Sequence, residues 1–187
     1  MENYRAMRIK LFFISMFLSI PFLITACQSL DTTRGYTSPE LVKKNSEVNI
    51  DKYRGGKELN GPKQYFDINQ NSGTFFMMRH IIADEQLQTT QVYFEILRDE
   101  WAFFNKAYFE NGEKAVFLKI DGKTGTGYSG AYVIETFGIN VPDKLLAEKS
   151  ESGDDLKIMI YGKRDNREIV IQNAYVKGFY EFINDNK

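Results

Sequence analysis

The sequence has almost nothing with which to build a metal or thiol site. Its 187 residues include one cysteine and one histidine. A disulfide within the chain is thereby excluded, as is a zinc site built on thiolates or on paired histidines. Charge of one sign is also lacking. Lys and Arg number 24 against 25 Asp and Glu, for a net −1. The first 26 residues hold Arg5, Arg8 and Lys10 against Glu2; removing that +2 leaves −3. Nucleic-acid binding needs a basic surplus, so no nucleic-acid partner is expected. Internal repeats and a second long apolar run are absent too.

What is present begins with residues 1–26. Arg5, Arg8 and Lys10 precede an uncharged stretch, Leu11 to Ala26. A membrane span needs about 20 apolar residues. These sixteen, interrupted by Pro21, read instead as the apolar segment of a signal peptide. Ile24-Thr25-Ala26-Cys27 has the form of a lipobox: a branched apolar residue, two small ones, then cysteine. Lipid transfer needs an unhindered thiol beside the bilayer, and the leader peptidase needs small residues before the cut. Cleavage between Ala26 and Cys27 and lipidation of Cys27 are expected, which makes the membrane a partner through that lipid. Met7-Arg8-Ile9-Lys10 also has the form of a leader start, so the first six residues are compatible with an upstream start codon. Gln28 and Ser29 follow the cysteine. Aspartate at the first of these retains enterobacterial lipoproteins in the inner membrane, so by resemblance to them the expected location is the outer membrane, facing the periplasm.

Residues 27–47 are polar and without period, and read as a tether. Residues 48–187 read as a single β-rich domain. Val92, Phe94 and Ile96 alternate with polar or half-polar neighbours, as do Leu156, Ile158 and Ile160. Asn111-Gly112 marks a hairpin, since both residues tolerate positive φ. Val116, Leu118 and Ile120 share one face of the answering strand. Gly122 to Gly130 reads as a glycine-rich loop. Pro142 to Lys149 reads as a short helix with proline in its first turn. Arg167 to Gln172 reads as a strand with Ile169 and Ile171 inward. Asn173 is the expected N-cap of a last helix whose Tyr175, Val176, Phe179, Phe182 and Ile183 form an apolar stripe. Gly178 weakens that helix or lets it approach the sheet. The expected class is α+β: about eight strands, mainly an antiparallel curved sheet or sandwich, with a short helix and a C-terminal packing helix.

Four segments together carry a resemblance: Trp101 to Ala107, Tyr132 to Glu135, Leu156 to Gly162, and Ala174 to Phe179. They resemble small uncharacterised lipoproteins of Gram-negative bacteria, over about the last ninety residues. The resemblance implies an envelope location and assigns no activity or functional residue.

Individual motifs point to no catalytic residue, cofactor or metal. Gly125 to Gly130 fits G-x-G-x-x-G, but a dinucleotide site needs a following helix, and Ala131-Tyr132-Val133-Ile134 is strand text. Gly122-Lys123-Thr124 echoes the end of a P-loop, with Phe117 where its first glycine belongs. His80 reads as a sheet histidine, with no serine or cysteine motif to make it a base. Glu95, Asp99 and Glu100 beside Trp101 are the acidic group a glycan hydrolase would use, and equally a charged turn. Phe75 to Met78 and Phe103-Phe104 put large apolar groups on both faces of a strand. Either both faces are covered, or one is an exposed patch for a partner. Gly162 to Arg167 is a basic hairpin tip. The reading that follows is a non-enzymatic envelope lipoprotein that binds another envelope protein or an envelope component. A glycan or lipid hydrolase and a lipid or small-molecule carrier are the alternatives. A hydrolase requires polar side chains converging in a cleft, and a carrier an apolar cavity.

Overall fold

The computed structural model describes residues 35–50, 56–65, 74–83, 88–127 and 130–187. They belong to one compact unit. Ala26 and Cys27 lie outside the described residues, as do residues 28–34 of the expected tether.

Eleven strands and three helices are described. In chain order they are α1 (Pro39–Lys44), β1 (Glu47–Ile50), β2 (Lys57–Asn60), β3 (Gln64–Tyr65), β4 (Phe75–Ile82), β5 (Gln88–Arg98), β6 (Lys106–Phe109), β7 (Lys114–Ala115), β8 (Phe117–Gly127), β9 (Gly130–Val141), α2 (Asp143–Ser152), β10 (Leu156–Tyr161), β11 (Asn166–Ile171) and α3 (Asn173–Asn186). The larger sheet runs β1-β2-β4-β5-β9-β8, with β3 also paired to β4. The smaller runs β11-β10-β6-β7. All pairings are antiparallel. The expected α+β class holds.

Period-two alternation builds the core. Phe76, Met78, Val92, Phe94, Ile96, Phe137 and Ile139 project from the inner face of the larger sheet and are buried. Ile158, Ile160, Ile169 and Ile171 answer from the smaller sheet, and α3 supplies Tyr175, Val176, Phe179, Phe182 and Ile183 to the same cluster. Phe137 stacks on both Phe94 and Phe117, at 5.1 and 4.8 Å between centroids. The chain passes between sheets at Val116, which separates β7 from β8.

Several elements differ from the sequence reading. The end of the supposed tether is a helix, α1. Ser38 Oγ accepts the Leu41 amide, proline opens the first turn, and Val42 is fully buried. Gly178 belongs to this contact: a β-carbon there would stand 2.3 Å from Pro39 O and 2.7 Å from Val42 Cβ. The glycine admits α1, not the sheet. Asn173 is the first residue of α3 and not its cap; its amide donates to Asp155 Oδ1 at 2.8 Å. Val116, Leu118 and Ile120 are 57, 40 and 46% exposed, because β8 is an edge strand and this face looks outward. Gly122 to Gly127 is strand, continuous with β8. Its glycines are spaces for rings: a β-carbon at Gly122 would lie 3.0 Å from the Trp101 indole, and one at Gly125 would lie 2.4 Å from the Tyr132 ring.

Candidate functional site

The segment between β5 and β6 is a surface held at several points. Trp101 to Asn105 is not strand; it is a turn pinned from beneath. Ala102 and Phe104 point inward and are buried, while Phe103 is 40% exposed and Trp101 is half-buried. The pin is Glu135 of β9, itself only 7% exposed. Its Oε2 accepts the Ala102 amide at 2.7 Å, and its Oε1 accepts the Phe104 amide at 3.2 Å. A carboxylate on the inner face of a strand needs such donors, since an unsatisfied buried charge is strongly destabilising.

Between these two anchored amides, Phe103 takes φ of +57°. Among the described residues it is the only non-glycine with positive φ. The left-handed region costs an L-residue about 1–2 kcal/mol, and such strain persists only where the surroundings over-determine the backbone. Here they do. The Ala102 carbonyl accepts the Arg164 amide at 3.2 Å, and the Asn105 amide donates to Tyr161 O at 3.0 Å. A β-carbon at Gly162 would stand 2.4 Å from Ala102 O, so only glycine lets the β10–β11 turn come this close.

The rings above this frame are ordered too. Trp101 and Phe103 stack at 6.1 Å and 25°. Lys163 Nζ and Arg164 Cζ lie 5.9 and 5.6 Å from the Phe103 ring centre, at the outer range of cation–π contact. Arg98 and Arg167 both reach Asp165, and Arg164 reaches Glu100 at 3.3 Å. Lys106 stands 5.3 Å from the Tyr161 ring. Around the turn are five cations (Arg98, Lys106, Lys163, Arg164, Arg167) and four carboxylates (Asp99, Glu100, Asp165 and the buried Glu135). The expected basic hairpin tip thus packs on the expected aromatic segment, a pairing not visible from either alone.

Other candidates separate. Glu95 lies on the outer face of β5, opposite Phe75 and Thr136, while Glu100 pairs with Arg164 and Asp99 is exposed. The carboxylate tied into the turn is Glu135, and its sequence signal was an acid at an inward position between Val133 and Phe137. His80 is 1% exposed on the inner face of β4; its Nδ1 meets Thr90 Oγ1 at 2.8 Å and its Nε2 has no hydrogen-bond partner. Phe75 and Phe76 are both buried, so at this pair the sheet is covered on both sides. Tyr65 and Tyr93 pack on Phe75 at 5.8 and 6.3 Å. Gly125 to Gly127 ends β8 and Gly130 starts β9, leaving no helix where a pyrophosphate would need one.

On the outer face of the larger sheet, Arg79 Nε donates to Gln91 Oε1 at 3.0 Å and Gln91 Nε2 to Asn140 Oδ1 at 2.8 Å. A groove of about 610 Å³ opens beside Ile50, Lys57 and Ile82. Another, of about 480 Å³, is ringed by Glu110, Lys149, Asp154, Asp155 and Lys157. Among the described residues no group of three or more His, Cys, Asp or Glu is placed to hold a metal ion, and no helix is long and apolar enough to cross a membrane.

No protein family matches the chain, and neither a curated protein nor a solved structure matches it. The fold alone defines the class: an α+β protein of two antiparallel sheets with a C-terminal helix packed into their common core.

Proposed function

We propose that this is an envelope lipoprotein, cut between Ala26 and Cys27 and anchored by lipid on Cys27. In this reading it faces the periplasm from the outer membrane and works as a non-enzymatic binding module. Its contact surface is the turn Trp101 to Asn105, which binds another envelope protein or an envelope component. One observation carries the choice of surface: Phe103 is held outward on a left-handed backbone by the buried carboxylate of Glu135. A fold keeps such strain where a side chain must be presented. An aromatic ring fixed in advance loses little entropy when it is covered, and aromatic and Arg side chains dominate binding energy at interfaces.

The test is site-specific photo-crosslinking in cells. A photoreactive phenylalanine analogue at position 103 should give adducts above those from the exposed helix position Glu148. Equal adduct yields at the two positions would refute the assignment.

A further inference from the structure

We infer that the occupant of this surface is the anionic phospholipid surface to which the protein is anchored. The inference rests on the anchored-binder reading above and names the partner of that same turn. Three observations point the same way.

The first is chemical. Trp101, whose indole carries a polar N–H, and Phe103 form a stacked aromatic pair flanked by Lys163 and Arg164. Aromatic rings favour the headgroup level of a bilayer, and Lys and Arg side chains favour anionic headgroups. Lys163 makes no ion pair among the described residues, and its ammonium stands beside the exposed ring.

The second is charge placement. Five cations and four carboxylates around the turn, Glu135 included, give +1, whereas the chain from Cys27 onward carries −3. The acidic excess therefore lies elsewhere, and the turn itself presents no net negative charge to an acidic leaflet.

The third is chain length. The Tyr36 amide donates to Gln64 Oε1 at 3.3 Å. Gln64 pairs with Phe76, and Phe76 with Phe94. From Phe94 to Arg98, the strand end that leads into the turn, is about 13 Å at the usual rise per residue. Along the strand direction the described chain thus starts level with Phe94, nearer the turn end of β5 than its far end. Cys27 precedes Gly35 by eight residues. Eight residues cover at most about 28 Å, enough for the turn to meet the leaflet and too little to hold it far away.

Trp101 is the chain's only tryptophan, so its emission reports this turn alone. The experiment uses the full lipidated chain reconstituted into vesicles. One set contains phosphatidylglycerol with acyl chains brominated near the headgroup. The other has the same bromination in phosphatidylcholine only. Anchoring is checked by flotation. The anionic set should lower Trp101 emission about twofold relative to unbrominated vesicles. The double substitution Lys163→Glu/Arg164→Glu, with circular dichroism unchanged, should abolish most of that loss. Emission unchanged by bromine in floated anionic vesicles would overturn the inference, whatever the variants do. Equal quenching in phosphatidylcholine would overturn the anionic preference. With lipid quenching absent, a protein adduct at position 103 would leave the binding module standing with a protein partner; no adduct would remove both.

Discussion

The hydroxyl of Tyr175, on the last helix, accepts the amide hydrogen of Met78, 97 residues earlier, at 3.2 Å. It donates in turn to Pro62 O at 2.6 Å. The contact sits where β2 and β3 both pair with β4 and leave a gap between them. A β-carbon on Gly61 would stand 2.6 Å from the same oxygen. One phenol therefore completes a break in the sheet ladder, and burial pushes its pKa well above the usual phenol range.

Tyr175→Phe should accordingly cost about 1–3 kcal/mol, since it leaves a buried amide and a buried carbonyl unpaired. Gly61→Ala should destabilise as well, by pushing the phenol off both partners. Urea unfolding measures each. A Tyr175→Phe midpoint equal to wild type would show that water takes over both bonds.

Phe103→Gly and Phe103→Ala both delete the ring, but only glycine accepts φ of +57° without strain. The glycine variant should be more stable than the alanine variant by about 1 kcal/mol, although glycine is ordinarily the poorer choice. Paired denaturant melts decide it. The reverse order would mean that the backbone relaxes once the ring is gone.

His80 gives a pH dependence. Burial is the largest influence and lowers its pKa; Gln88 comes next and opposes it, followed by Lys187, which lowers it further, and Asp143, which raises it, and the net direction is down. The folded protein thus binds a proton less readily than the unfolded chain. The corresponding stability is complete above about pH 6.5, the unperturbed imidazole value, and is lost as pH falls toward the lowered folded value. His80→Gln should remove this dependence. The check is unfolding free energy at several pH values between about 5 and 7.5 for both proteins; parallel curves would contradict the assignment.

The proposed anchor predicts that Cys27→Ala blocks both fatty-acid labelling and leader cleavage. Metabolic labelling with a tagged fatty acid, read beside the mobility of the protein on a gel, reports both. Label retained on the substituted chain would sink the lipidation reading, and recovery of the unsubstituted protein in the inner-membrane fraction would sink the outer-membrane placement.

The legible parts of the fold were those where one face is buried along a whole element. Val92, Phe94 and Ile96, then Leu156, Ile158 and Ile160, then the stripe on α3, all gave their period because burial imposed it. β8 misled in two ways. Its apolar alternation is real but faces outward from a sheet edge, and its glycines mark ring-filled hollows, not a loop. α1 has six residues, too few to show a period, although Ser38-Pro39-Glu40 carried its start signal. The clamp on Phe103 was legible only in pieces, because Glu135 stands more than thirty residues from the amides it holds and spacing does not encode that contact.

The role of Tyr175 also bears on when the domain closes during its synthesis. Met78 and Pro62 wait for a side chain near the C-terminus, and β6 waits for β10, with Phe109 paired to Ile158. Such non-local pairings form slowly. A chain made from its N-terminus has α3 still to come when most of the larger sheet has emerged, so these contacts close late. For a protein threaded unfolded through a translocation pore, as the proposed leader would require, a core that cannot close before α3 is made is itself a brake on premature folding.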